Sequence, residues 1–183
     1  MNIEDLIKRC KKKDRAAQNE LFEKYKNTLY FLSLKYCRNE ADAEDNTHDA
    51  FITIFEKIKS FKGKGSFEGW MKRITIYKAI AKYKTRKPIA VDYKNDLLED
   101  TTIEKDTMNL PLETLLHMVQ KLPDQYRLVF NLYQLDGFSH KEVAKLLSIS
   151  ESTSKSNYHR AKQILKDAIL KLKNNPKNTY DGA

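Results

Sequence analysis

Between Arg15 and Tyr36, in "RAAQNELFEKYKNTLYFLSLKY", apolar side chains return at every third or fourth position: Leu21, Phe22, Tyr25, Leu29, Leu32 and Tyr36. A helix gathers such positions on one face, whereas a strand would send successive side chains to opposite faces. A stripe this long must be covered, so the chain needs further amphipathic helices around it. The same period predicts helices over about Ile3 to Lys11, from Asn39 onward, and from about Ser66 to Arg86, ending before Pro88 because a residue ahead of proline disfavours helix. Asn39 is the expected N-cap of the third, followed by Glu40, Asp42, Glu44 and Asp45, which suit the positive end of a helix dipole. Its expected buried stripe is Ala43, Thr47, Ala50, Phe51, Ile54, Phe55 and Ile58.

Four more helices are expected further on: Leu112 to Lys121, Asp124 to Leu135, His140 to Leu147 and Glu151 to Leu172. Pro123 suits a helix start and Gly137 a helix stop. Ser139 and Glu142 have the S-x-x-E spacing of a capping box, and Ser148, Ile149 and Ser150 leave room for a tight turn with Ser150 as the next N-cap. This is a helix-turn-helix pattern. On its second helix Tyr158, Ala161, Ile164, Leu165, Ala168, Ile169 and Leu172 form the expected buried face, leaving Ser152, Thr153, Lys155, Ser156, His159, Arg160 and Lys162 outside. Short hydroxyls near the amino end allow close approach to DNA, and the bases further along can neutralise phosphates. A solvated helical corner fits the same pattern.

Charge divides the chain. Residues 1–88 carry 21 bases and 12 acids, residues 89–110 carry 2 and 6, and residues 111–183 carry 11 and 7. The expected fold class is therefore all-α: two small basic helical domains joined by an acidic linker, the C-terminal one holding the helix-turn-helix. The tail from residue 174 is polar and expected to be disordered. A formal charge of +9 favours a polyanionic partner. No apolar run approaches the length of a membrane span, and the acids in "MNIEDLIKRCKKKD" do not suit a signal peptide, so a cytoplasmic protein without membrane insertion is expected. Cys10 and Cys37 are isolated and expected to be reduced thiols, buried or half-buried.

Two further surfaces stand out. Residues 60–88 hold nine bases against one acid, Glu68. A wheel of this helix puts Phe67, Trp70, Ile74, Tyr77 and Ala81 in one apolar sector, with Lys72, Arg73, Lys78, Lys82, Arg86 and Lys87 around the rest. Aromatics beside bases suit single-stranded nucleic acid, although Trp70 falls where a core residue would. The preceding "KSFKGKGSF" offers Lys62, Lys64 and Ser66 on a loop with two glycines that let backbone approach a ligand closely. The third helix is opposite in sign: Asp42, Asp45, Asp49 and Glu56 form an acidic stripe beside His48. It would repel phosphate and suits a basic protein partner, or simply solvent.

The segments "DAEDNTHDAFITIFEKIKSF", "GSFEGWMKRITIYKAIAKYKTRKP" and "LPDQYRLVFNLYQLDGFSHKEVAKLLSISESTSKSNYHRAKQIL" together resemble an extracytoplasmic-function (ECF) sigma factor of bacterial RNA polymerase, in order and over Ala16 to Leu172. The resemblance implies a non-enzymatic initiation subunit with residues 1–88 as sigma domain 2, 89–110 as linker and 111–173 as sigma domain 4. It implies core polymerase, through the clamp coiled coil of the largest subunit, and promoter DNA as partners, with an anti-sigma factor as a regulator. The docking helix maps on Asp45, His48, Asp49 and Phe55. The minus-10 and melting segment maps on Lys62, Lys64, Ser66, Trp70, Lys72, Arg73 and Lys78, and the minus-35 reader on Thr153, Lys155, Ser156 and Arg160. Departures from the family pattern are His48 for Gln, Asp49 for Glu, Tyr77 for Asn, Ala81 for Asp, Ser154 for an apolar residue and Asn157 for Arg.

A helix-turn-helix repressor or response regulator is the competing expectation, and a protein-only helical adaptor a third. The first would need a ligand pocket or a phospho-acceptor cluster on a parallel sheet, which an all-helical pattern does not supply. No cofactor or metal is expected, since His48, His117, His140 and His159 are scattered and no phosphate-cradling glycine loop occurs.

Overall fold

The computed structural model describes residues 2–85 and 110–174. The expected linker at 89–110 and tail at 174–183 fall, apart from their edge residues 110 and 174, outside the described residues. The chain divides into two compact units, Met1–Lys87 and Pro88–Ala183. Among the described residues every regular element is helical, and no helix is long and apolar enough to cross a membrane.

The first unit contains α1 (Ile3–Lys11), α2 (Arg15–Tyr36), α3 (Glu40–Lys57), a 3-10 turn at Ile58–Ser60 and α4 (Phe67–Thr85). Each of the first three helices starts on a side-chain cap: Asn2 accepts from the Glu4 amide, Asp14 from Ala17 and Asn39 from Asp42. The Ala17 amide and the Arg9 guanidinium, 2.9 Å away, both hold the Asp14 carboxyl below its ordinary pKa. Helices α2, α3 and α4 pack against one another, while α1 lies on α2 and the 3-10 turn. Leu21, Leu29, Ile54, Ile58 and Met71 are fully buried between them. Burying each such side chain contributes roughly 1.5–3 kcal/mol. Cys10 and Cys37 are free and buried, as expected. Burial raises the pKa of the Cys10 thiol.

A polar knot sits inside this apolar packing. The Asn46 amide donates to Ser33 Oγ at 3.0 Å and to the Thr75 carbonyl at 3.2 Å, and Thr47 Oγ1 donates to the Ala43 carbonyl at 2.8 Å. The two Asn46 bonds join α2, α3 and α4 at one level, so a helix sliding by one turn would strand buried polar groups at a cost of about 1–3 kcal/mol each.

The second unit contains α5 (Leu112–Gln120), α6 (Asp124–Phe130), α7 (His140–Leu147) and α8 (Glu151–Asn174). Buried Arg127 donates to the carbonyls of Gln120 and Leu122 at 3.0 and 2.9 Å and pairs with Asp124, tying α6 to the end of α5. Ser139 and Glu142 form the expected capping box, and Ser150 accepts from the Thr153 amide at 3.0 Å. Between α7 and α8, Ser148 adopts the left-handed conformation at φ 59°.

Three expectations are corrected. The helix expected over Asp124 to Leu135 widens into a π-helical turn at Asn131–Leu135, where the amides of Asp136 and Phe138 reach back to the carbonyls of Asn131 and Leu132 before Gly137 turns at φ 74°. On α4, Tyr77 is 46% exposed and Ala81 is exposed, while Met71, Thr75, Ile76, Ala79 and Ile80 are buried. Packing on both α2 and α3 buries a broad sector that a one-sided wheel does not find. On α8 the buried line runs Ser154, Asn157, Ala161, Leu165, Ile169, so Ile164 is turned outward and two polar residues inward.

Candidate functional site

The basic loop between the 3-10 turn and α4 is closed at its base by rings. Phe61 lies 5.0 Å from Phe67 and 5.5 Å from Trp70, and Phe67 stacks on Trp70 at 5.5 Å. Trp70 is thereby half-buried in a staple joining the two loop ends. Lys62, Gly63, Lys64, Gly65 and Ser66 are all exposed. Gly63 and Gly65 have φ of +75° and +79°, and a Cβ on either would meet nothing within 4 Å. Backbone conformation, not crowding, therefore requires glycine at both. Ser66 Oγ accepts from the Gly69 amide at 2.9 Å, so this hydroxyl caps α4.

Along α4 the expected basic residues differ in their partners. Lys72 pairs with Glu68 at 2.6 Å, and Lys82 reaches across to Asp49 on α3 at 2.8 Å. Among the described residues no carboxylate pairs with Lys62, Lys64, Arg73 or Lys78. Four cations on a short stretch with no acidic partner leave a strong positive potential at the loop and the start of α4.

On α3, Asp45 and His48 are exposed, Asp49 is half-exposed and tied to Lys82, and Phe55 is partly buried against Phe51, their ring centres 5.9 Å apart. The sequence reading missed Ile52, which is 57% exposed in the middle of this stripe. Its position three and four residues past Asp49 and His48 was the available signal, because a helix puts those residues side by side. Ile52 thus puts an apolar side chain beside His48, Asp49 and Glu56 on the outer face of α3.

In the second unit the hydroxyls at the start of α8 are mutually engaged. Ser150 Oγ lies 2.8 Å from both Ser152 Oγ and Thr153 Oγ1, and Ser156 Oγ donates to the Ser152 carbonyl at 2.9 Å. Lys155 pairs with Glu151 at 2.9 Å. Ser152 and Lys155 are exposed, and Thr153, Ser156, His159, Arg160 and Lys162 are partly exposed, so all seven expected residues reach the surface of one helix. Lys162 lies over the Tyr158 ring at 5.2 Å. Ser154 and Asn157 do not reach that surface. Ser154 Oγ instead meets His140 Nδ1 at 2.9 Å, and His140 stacks on Tyr133 at 3.9 Å. Burial chiefly, and then Lys155, lowers the His140 pKa. Tyr158 also hydrogen-bonds Gln134 of the π-helical turn, so α7 and α8 share one aromatic and polar seam. Among the described residues no group of His, Cys, Asp and Glu is arranged to hold a metal ion.

Comparison with known proteins covers both units. Residues 21–88 match the family model for sigma-70 region 2, and residues 112–165 match that for sigma-70 region 4. The ECF RNA polymerase sigma factor SigW of Bacillus subtilis is 30% identical over 188 residues, spanning 94% of this chain and 99% of that protein. The ECF RNA polymerase sigma-E factor of Escherichia coli (strain K12) is 26% identical over 182 residues, spanning 91% and 94%. Among solved structures, the sigma factor RpoE of Bartonella quintana, in complex with the anti-sigma factor NepR, shares the fold with a TM-score of 0.52 at 18% identity, over 84% of this chain and 96% of that one.

Proposed function

The chain belongs to the ECF sigma factors of the sigma-70 family, which bind core RNA polymerase and direct it to promoters, and we propose that its two units divide this work by the state of the DNA each one meets. Residues 1–88 act as sigma domain 2 and residues 111–173 as sigma domain 4. The acidic stripe of Asp45, His48 and Asp49, with Ile52 at its centre and Phe55 supporting it from the core side, docks on the basic clamp coiled coil of the largest polymerase subunit. The loop residues Lys62, Lys64 and Ser66 and the α4 residues Lys72, Arg73 and Lys78 take the melted minus-10 strand. Trp70 acts through the staple that holds the loop. On α8, Ser152, Thr153, Lys155, Ser156, His159, Arg160 and Lys162 meet minus-35 duplex, the positive helix end favouring a phosphate.

The observation that carries this division is the contrast between an open, unpaired basic loop in one unit and a fully capped helix-turn-helix in the other. A repressor or response-regulator reading is not favoured, because the first unit matches sigma-70 region 2 over residues 21–88. The protein adds no catalysis of its own and works in the cytoplasm, where polymerase and promoters are. An anti-sigma factor, as in the Bartonella complex, is the regulator this reading expects. Adding the purified protein to bacterial core polymerase on genomic DNA should yield transcripts from a restricted set of promoters, mapped by their 5′ ends. Absence of promoter-specific transcripts with active core would reject this division of labour.

A further inference from the structure

The loop 62–66 carries no packing of its own, so its direction is inherited from its two ends. At the carboxyl end Ser66 caps α4 and Phe67 is buried. At the amino end the Phe61 ring is held by Phe67 and Trp70, but ring contacts leave the following peptide plane free to rotate. That plane is fixed from elsewhere: Lys11 Nζ donates to the Phe61 carbonyl oxygen at 2.9 Å, fifty positions away in sequence. A part-buried, charge-assisted hydrogen bond is among the stronger ways to hold one carbonyl.

Lys11 is well placed to do so. It is the last residue of α1, whose Leu6, Ile7 and Cys10 are buried in the same cluster as Ile58 and Phe67 on either side of the loop. The carboxyl end of α1 also carries Lys8 and Arg9, so compensation of the helix dipole does not depend on Lys11. We propose that Lys11 is a positioning residue for promoter opening: it fixes the peptide at which the loop leaves the core, and through it where Lys62, Lys64 and Ser66 stand beside a melted minus-10 base. This rests on the assignment of the loop to melted minus-10 DNA. Sequence reading had no access to it, because nothing local in "KRCKKKD" marks Lys11 apart from Lys12 and Lys13.

The test uses the full chain with core polymerase and genomic DNA, comparing Lys11→Met, Lys11→Arg, Lys12→Met and the loop double variant Lys62→Ala with Lys64→Ala. Open complexes are scored by permanganate reactivity of unpaired thymines, and minus-10 preference by aligning the transcribed promoters. Lys11→Met should form roughly tenfold to a hundredfold fewer open complexes, the size of one lost hydrogen bond from a charged group, and should relax base preference in the minus-10 element. Core binding and minus-35 duplex binding should stay unchanged. Lys11→Arg, which keeps a donor, should recover most of the opening, and Lys12→Met, which removes the same charge from an exposed side chain, should keep the base preference. Opening and base preference like the parent in folded Lys11→Met would overturn the proposal. So would equal effects of Lys11→Met and Lys12→Met, which would leave only a general charge effect, or loss of fold in both Lys11 variants, which would make the residue structural. If the loop double variant also opens promoters normally, the assignment of the loop fails; if it alone is defective, only the role of Lys11 fails.

Discussion

The two surfaces assigned to DNA are built on opposite principles. At the start of α8 the hydroxyls of Ser150, Ser152, Thr153 and Ser156 are each engaged within the helix, and the preceding helix opens on a capping box. The loop 62–66 shows no such internal bonding beyond Ser66, and its course depends on two left-handed glycines between fixed ends. A pre-shaped helix end suits duplex DNA, whose phosphates stand at set spacings. An unbraced loop with firm anchors suits a single strand, whose bases must be met wherever they swing.

The most disruptive way to break the comparison is to remove the scaffold of the capped surface. Replacing Arg127 by Met removes one partner from Asp124, itself 22% exposed, and one donor from each of two carbonyls, and should cost the second unit about 1.5–3 kcal/mol, as loss of hydrogen bonds from a charged group does. Thermal unfolding should then separate into two transitions, with minus-35 binding lost and the first unit intact. A single unshifted transition would refute the role given to Arg127. The loop should respond to backbone chemistry instead: Gly65→Val forces a β-branched residue to φ +79° at a cost of about 1–2 kcal/mol. Promoter opening should fall about tenfold while minus-35 affinity holds, measured by permanganate reactivity beside duplex binding.

Smaller changes sharpen the contrast. Ser150→Ala removes the cap of α8 and should cost about 1 kcal/mol of second-unit stability, seen as an earlier thermal transition with promoter opening on supercoiled DNA little changed. The smallest effect expected is one of pH. His140 has its pKa lowered by burial and by Lys155, with Glu151 acting the other way, so the folded state resists the proton that the unfolded chain accepts. The second unit's stability should be full above about pH 6.5, the unperturbed histidine value, and decline as pH falls below it. His140→Gln should flatten that decline in melts between pH 7 and pH 5, and an identical decline in this variant would assign the effect to other groups.

Much of the fold was legible because its signals are local. Asn39, Ser139 with Glu142, and Ser150 cap helices through neighbours at most three residues away, and the bounds of α1, α2 and α7 follow from caps and period alone. What escaped depends on packing between distant elements. Tyr77 and Ala81 were assigned inward, yet α4 is covered by two helices whose combined footprint selects Met71, Thr75 and Ala79. Ser154, a polar residue where the family pattern has an apolar one, is buried against His140 inside the unit. Ile52 has no charge to mark it within an acidic stripe, and the loop anchor at Lys11 spans fifty positions. That the expected residues of α3, the loop and the outer face of α8 reach the surface was legible as charge and spacing, whereas the partners that occupy Lys72, Lys82 and Lys155 were not.

Cys10 gives the anchoring of the loop a clock. Its sulfur lies one residue before Lys11, 1% exposed and with its thiol kept protonated by burial. A thiol reagent can reach it only while α1 is lifted from the core, and that is also when the Phe61 carbonyl loses its lysine. The labelling rate of Cys10, resolved from that of Cys37, therefore reports how often the loop 62–66 loses its anchor, in the free protein or on polymerase.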